Sequence, residues 1–266
     1  MSSERPRIPI LRNLARTGGT LITKCLGSMD GLVVLSEVHP ANLKQTNPMA
    51  QASEWFGLVG PGQLKAWRRA GGPTLPQFVW VCDQAARARG ETLVIREWSH
   101  LDYHGAPFTE PTMTPALPAA LDPVFECVET CTVRHPIDQY LSIRGTAIGA
   151  ALGFDAFLEG CLAFARRARE TGFVRYEDFT RDPDPALRTI CERLGVPFDP
   201  GYRDRWWSYT TVTGDTARGV GRGVERREIA PMPRGEIDED LLARFRSSRA
   251  HAETCEILGY DPERAP

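Results

Sequence analysis

The chain has 266 residues, 42% hydrophobic and 25% charged, with a formal net charge of -2. That length suits a single domain over residues 1–266, and the near-neutral charge argues against a general nucleic-acid binder. No charged leader with an apolar run follows the start and no apolar stretch is long enough to span a membrane, so the cytoplasm is the default expectation, with no membrane partner.

Short apolar runs alternate with helical patterns, which points to an α/β protein with a mainly parallel sheet and helices on both faces. Strands are expected at 8–14, 32–36, 92–96, 127–133 and 172–175. Helices are expected at 19–29, 62–70, 75–89, 136–148, 154–170, 184–194 and 237–258. Within 154–170, Phe154, Phe157, Leu158, Cys161, Leu162 and Ala165 recur at helical spacing and mark a core face. Three stretches break the pattern: 40–61, the Pro- and Thr-rich 105–123, and the Gly- and Arg-rich 200–235. Irregular segments of this length in a compact domain serve as lids or binding loops. The seven cysteines, Cys25, Cys82, Cys127, Cys131, Cys161, Cys191 and Cys255, are scattered without CxxC spacing and read as reduced thiols.

The first strand runs into Ala15-Arg16-Thr17-Gly18-Gly19-Thr20 and then into a helix. Two glycines allow close backbone approach, the free amides from Gly19 through Leu21 to Ile22 face a ligand, and Arg16 and Thr20 add side-chain donors: an anion cradle. The same outline also serves as an ordinary strand-to-helix turn. It is not a Walker A loop, because no glycine stands six positions before a Lys-Ser/Thr pair, and no predicted strand ends in an acid that would hold Mg²⁺. Further on, Thr132-Val133-Arg134-His135-Pro136 carries an arginine at a strand end, with Pro136 opening a helix that bears Ser142 about two turns later. Arg134 and Ser142 form a second anion site, or else a capping arginine and a solvated serine.

Taken together, these motifs resemble those of the sulfotransferases that use 3′-phosphoadenosine-5′-phosphosulfate (PAPS). In that family a strand, a loop of the type R/K-S/T-G-T/G-T and a helix hold the 5′-phosphosulfate; here the loop reads Arg16-Thr17-Gly18-Gly19-Thr20. An Arg followed eight residues later by Ser holds the 3′-phosphate; here these are Arg134 and Ser142. A weaker match is Val174-Arg175-Tyr176-Glu177-Asp178-Phe179, placing Tyr176 on the adenine side. The resemblance spans residues 8–200 in order. It implies a three-layer sandwich of the P-loop-like sulfotransferase fold. It also implies sulfuryl transfer from PAPS to a hydroxyl or amine of a small-molecule acceptor, with PAP released and no metal required.

The acceptor must lose a proton as it attacks, so a base is needed. Glu37 follows the second strand, and some branches of the family place a catalytic glutamate there. His100, in Arg96-Glu97-Trp98-Ser99-His100-Leu101, resembles the Thr-His-Leu element of the cytosolic branch, which uses the histidine. Glu37 ranks first and His100 second, with His39, Asp102 and His104 as orienting partners. The segment 213–223 sits where the family closes a loop over PAPS, with Arg218 or Arg222 as added phosphate ligands or the whole as a flexible surface loop. Aromatics at Trp55, Phe56, Trp67, Phe78 and Trp80, and at Trp206, Trp207 and Tyr209, are candidates for an acceptor pocket. Two other functions stay open: a metal-dependent small-molecule kinase, and a nucleotide-binding module without catalysis. Acceptor identity and oligomeric state are not legible.

Overall fold

The computed structural model describes residues 5–42, 46–214 and 227–263. Five strands, β1 (Arg7–Asn13), β2 (Leu32–Val38), β3 (Thr92–Glu97), β4 (Glu126–Val133) and β5 (Phe173–Arg175), form one sheet in the order β2-β3-β1-β4-β5. Every pairing in it is parallel. The five expected strands are all present. Because a parallel sheet is covered on both faces, its strands are largely apolar, and their apolar residues alternate in which layer they feed. Leu11, Val34 and Val94 join one core. Ile10, Val33, Leu35, Leu93 and Ile95 join another.

The first face is covered by α1 (Gly19–Gly27) and, later in the chain, Pro183–Leu194. The opposite face is covered by Leu75–Arg87 against β2 and β3, and by Phe154–Thr171 against β4. The result is a three-layer α/β sandwich. All six residues of the expected stripe on Phe154–Thr171 are buried. The 75–87 helix begins with a full capping box, Thr74 accepting from the Gln77 amide and Gln77 returning the contact.

Three expectations change. The helix expected over 237–258 is two helices, Glu239–Ser247 and Arg249–Leu258. Ser248 leaves the helical region at φ -85°, ψ 117°, and its hydroxyl accepts from the His251 amide, so a side-chain cap replaces helix continuation. The helix expected over 136–148 ends at Ile143, and Thr146 caps a new turn, Ala147–Ala151. β3 runs one residue beyond its expected end and so does finish on an acid, Glu97, which is taken up by Arg12 and Ser99 at 2.6 and 2.7 Å.

Central β1 has its sequence neighbours on opposite sides: the chain leaves it for β2 and β3 on one flank and returns to β4 and β5 on the other. The carboxyl ends of β1, β3 and β4 therefore border a crevice, the place where open α/β sheets bind ligands.

Candidate active site

The cradle joins β1 to α1 in the crevice. Arg16 adopts φ 69° and Gly18 φ 85°, a pair of left-handed residues that turns the chain sharply into the helix. Gly18 is the N-cap of α1 and supplies no side-chain cap, and no acid occupies the first turn. The leading amides of α1 thus keep their donor capacity and positive end-charge. The carbonyls that would repel an anion are engaged elsewhere. Leu14 O accepts from Thr17 Oγ1 (2.8 Å) and Asn13 Nδ2 (3.0 Å), Ala15 O from Gln139 Nε2 (2.9 Å), and Arg16 O from Arg134 Nη1 (3.1 Å).

Both glycines are sterically required. A Cβ on Gly18 would lie 2.7 Å from Tyr176 Cε2 and nearer still to Cδ2; one on Gly19 would lie 2.5 Å from Asn13 Oδ1. Tyr176 opens the helix Tyr176–Arg181 after β5 and backs the cradle, with the Arg134 guanidinium 4.8 Å from its ring centroid.

The two motifs expected to bind anions meet. Arg16 Nε donates to Ser142 Oγ at 2.9 Å across 126 residues of sequence, on the helix Pro136–Ile143, designated α2. Arg16, Arg134 and Ser142 therefore sit on one side of the cradle, and the amides of α1 with Thr20 lie on the other.

Glu37 lies on the Thr20 side. The β2–β3 register slips between Ser36 and Val38, leaving Glu37 in a bulge at φ 55°. Such bulges re-aim a side chain. The carboxylate Oε1 is 3.2 Å from Arg96 Nη2, with Glu37 24% exposed and Arg96 2%. Arg96 Nη1 is also 3.4 Å from Thr20 Oγ1, and a Cβ on Gly214 would touch both Thr20 Oγ1 and Glu37 Oε1, at 2.9 and 3.2 Å. Glu37, Thr20, Arg96 and the chain at 213–214 thus form one cluster.

His100 is fully buried in the short helix His100–Tyr103. Its Nε2 donates to Ala106 O at 2.7 Å, and Nδ1 is buried without a hydrogen-bond partner. Burial holds its pKa below the usual histidine value, against the opposing pull of the Ala106 carbonyl and the Glu37 charge. Of the expected orienting partners, His39 and Asp102 bond to each other, His39 Nε2 donating to Asp102 Oδ1 (2.9 Å), whose Oδ2 accepts from the Ala116 amide (3.1 Å), and His104 Nε2 meets Phe157 O (3.1 Å). His104 is pulled down to about 3, by burial first and by His100 second.

Near the carboxyl ends of β1 and β3 lies a buried ion cluster. Arg12, 0% exposed, contacts Glu97 (2.6 Å), Glu129 (3.0 Å) and Asp102 (4.0 Å). Burial opposes its charge, yet Glu97 and further anions carry its pKa above the ordinary arginine value.

Arg218 and Arg222 lie outside the described residues. Six of the eight aromatics singled out from sequence pack elsewhere: Phe78 is core with Phe56 and Trp67 against it, Trp80 meets Phe125, and Trp206 is core with Trp207 beside it; Trp55 is exposed beside Phe56, and Tyr209 lies against Gly27. Trp98 and Phe108, not singled out, stand beside the site: their ring centroids are 5.1 Å apart, Phe108 meets His100 edge-on at 6.3 Å, and Phe108 is 41% exposed. Arg96 and Gln139 were also missed. The signal for Arg96 was a charge inside an apolar strand, LVIRE. Among the described residues, no group of three or more His, Cys, Asp or Glu could hold a metal ion, and no helix is long and apolar enough to cross a membrane.

No protein-family model and no curated protein sequence matches the chain. Solved structures do. The sulfotransferase domain of the Synechococcus PCC 7002 olefin synthase aligns over 98% of this chain and 98% of its own, with TM-score 0.66 and 19% identity. The sulfotransferase domain from the curacin biosynthetic pathway aligns over 97% of this chain and 99% of its own, with TM-score 0.63 and 16% identity. With the cradle, strand order and layer arrangement described above, the chain has the P-loop-like sulfotransferase fold.

Proposed function

We propose that the chain transfers a sulfuryl group from PAPS to a hydroxyl or amine of a small-molecule acceptor. The observation that carries this reading is the Arg16–Ser142 contact at 2.9 Å, with Arg134 on the Arg16 carbonyl at 3.1 Å. That contact sets the two cationic, helix-linked motifs side by side, which supports a ligand phosphorylated at both its 5′ and 3′ positions.

In this reading the amides at Gly19 to Leu21, with Thr17, Gly18 and Thr20, cradle the 5′-phosphosulfate. Arg134 and Ser142 take the 3′-phosphate, Tyr176 flanks the nucleoside, and Arg16 stands between the two ends. The acceptor oxygen or nitrogen forms its bond to sulfur as the bond from sulfur to the 5′-phosphate oxygen breaks. The leaving oxygen keeps the electron pair, and PAP departs. Positioning and charge stabilisation by fixed donors do the chemical work, and no metal is invoked.

Glu37 is the base in this reading and receives the acceptor proton. Its carboxylate is partly exposed beside Thr20. The sole unprotonated nitrogen of His100, by contrast, is a buried atom. Trp98 and Phe108 supply an apolar surface for the body of the acceptor.

Thermal denaturation with PAP, ATP, and ATP with Mg²⁺ tests the cofactor. PAP at about 100 times its Kd adds about 2.7 kcal/mol and raises the midpoint, while ATP with Mg²⁺ does less. Stabilisation by ATP with Mg²⁺ alone refutes the reading. Single-turnover consumption of PAPS separates the bases: E37Q is slowed at least about 10²-fold and H100A far less, and the reverse order moves the role to His100.

A further inference from the structure

Arg96 is a charged residue next to the C-terminal end of a buried strand, and it is placed differently from the other buried arginine of the sheet. Arg12 is met by three carboxylates and points to the sheet face opposite that of Leu11, which packs with α1. Arg96 pairs with the Glu37 carboxylate and also reaches hydroxyl and carbonyl oxygens of the crevice wall. Nη1 is 3.4 Å from Thr20 Oγ1, and Nη2 is 2.9 Å from Thr213 Oγ1 and 3.2 Å from Thr213 O. Three elements converge on one guanidinium: the first turn of α1, the bulge of β2, and the chain at 213. Thr213 is itself anchored, its amide donating to Ser36 Oγ at 3.0 Å, and Ser36 is held by Gln51.

Glu37 has a left-handed backbone that costs a non-glycine residue about 1 kcal/mol or more, so it persists only where its surroundings fix it. Thr46 Oγ1 secures its carbonyl at 2.6 Å, and Arg96 secures its carboxylate. A planar guanidinium can hold several partners in fixed directions, which an ammonium cannot.

We propose that Arg96 is a positioning residue: it fixes the Glu37 carboxylate against Thr20 of the cradle, so that the base is in place before the acceptor arrives. The inference rests on the sulfuryl-transfer reading. It differs from a role in holding phosphate, because its effect passes through Glu37 and leaves PAP binding intact.

The test compares wild type, R96Q, R96K, E37Q and R96Q/E37Q. Calorimetry gives the Kd for PAP, and PAP release from PAPS with water as acceptor gives the turnover. A misplaced base costs about 10²-fold. R96Q therefore falls about that far in turnover while its Kd for PAP moves less than about threefold, and R96K recovers part of the rate. The double variant is no slower than E37Q alone, since residues acting as a unit are not additive. Multiplicative losses in R96Q/E37Q overturn the inference. So does PAP affinity that falls in step with rate in R96Q, which would make Arg96 a phosphate ligand or a fold determinant. A wild-type chain that neither binds PAP nor consumes PAPS refutes the functional reading itself, and with it the reaction Arg96 would serve.

Discussion

Replacing Gly18 with alanine tests how the cradle is built. Two costs add. At φ 85° an L-residue occupies the left-handed region, at about 1–2 kcal/mol. The added Cβ also lands within 2.7 Å of the Tyr176 ring, which Arg134 covers from 4.8 Å and which therefore cannot swing aside freely. Overpacking of that kind costs about 1–3 kcal/mol. The sum is about 2–5 kcal/mol. With an unfolding entropy of about 2.1 cal/mol/K per residue over 266 residues, a 3 kcal/mol loss lowers Tm by about 5 °C. Urea denaturation of G18A, Y176A and G18A/Y176A separates the two parts. In the Y176A background the glycine replacement costs only the backbone share, about 1–2 kcal/mol. An equal cost of G18A in both backgrounds would show that the ring does not exclude the Cβ, and the steric argument would fail.

Removing Arg16 (R16A) lowers PAPS turnover on the order of 10²-fold, as loss of one oxyanion donor does, and S142A weakens PAP about tenfold by calorimetry. Unchanged PAP affinity in S142A would detach that serine from the nucleotide. Histidine burial predicts an acid-side weakness. The His104 pKa is pulled to about 3 from 6.5, and burial also lowers that of His135. Both folded values lie below the unfolded one, so the unfolded chain binds more protons as pH falls through 6.5. Stability is full above that pH and declines below it, by about 2 kcal/mol for His104 at about pH 5. Urea midpoints at about pH 7.5 and pH 5 check this, with H104Q flattening the slope; a midpoint that rises toward pH 5 contradicts it.

The strands were legible because each is a short apolar run bounded by breakers, and a parallel sheet needs nothing subtler. The cradle was legible because Gly-Gly between a strand and a helix is a local signal. What escaped was non-local or conformational. Arg96 and Arg12 gain their meaning from partners on other strands, and no local pattern distinguishes a structural cation from a site residue. The bulge at Glu37 carries no glycine to announce it. Ser248 stops a helix inside an unbroken amphipathic pattern, since its hydroxyl offers the backbone an alternative that periodicity does not register. His100 reads as a loop histidine, yet it is enclosed by the short helix it opens and by the turn that delivers Ala106 O.

Arg12 also constrains how this sequence drifts over generations. One cation laces β1 to β3 through Glu97, to β4 through Glu129 and to the helix His100–Tyr103 through Asp102. Losing one member of such a cluster strands a buried charge at about 3–5 kcal/mol, whereas exchanging the whole set for packed apolar residues can be nearly neutral. Single-step paths away from the cluster therefore cross a valley. Positions 12, 97, 102 and 129 are bound to change together or not at all, so descendants of this chain should show them as a correlated block even where the surface around the crevice has been rewritten.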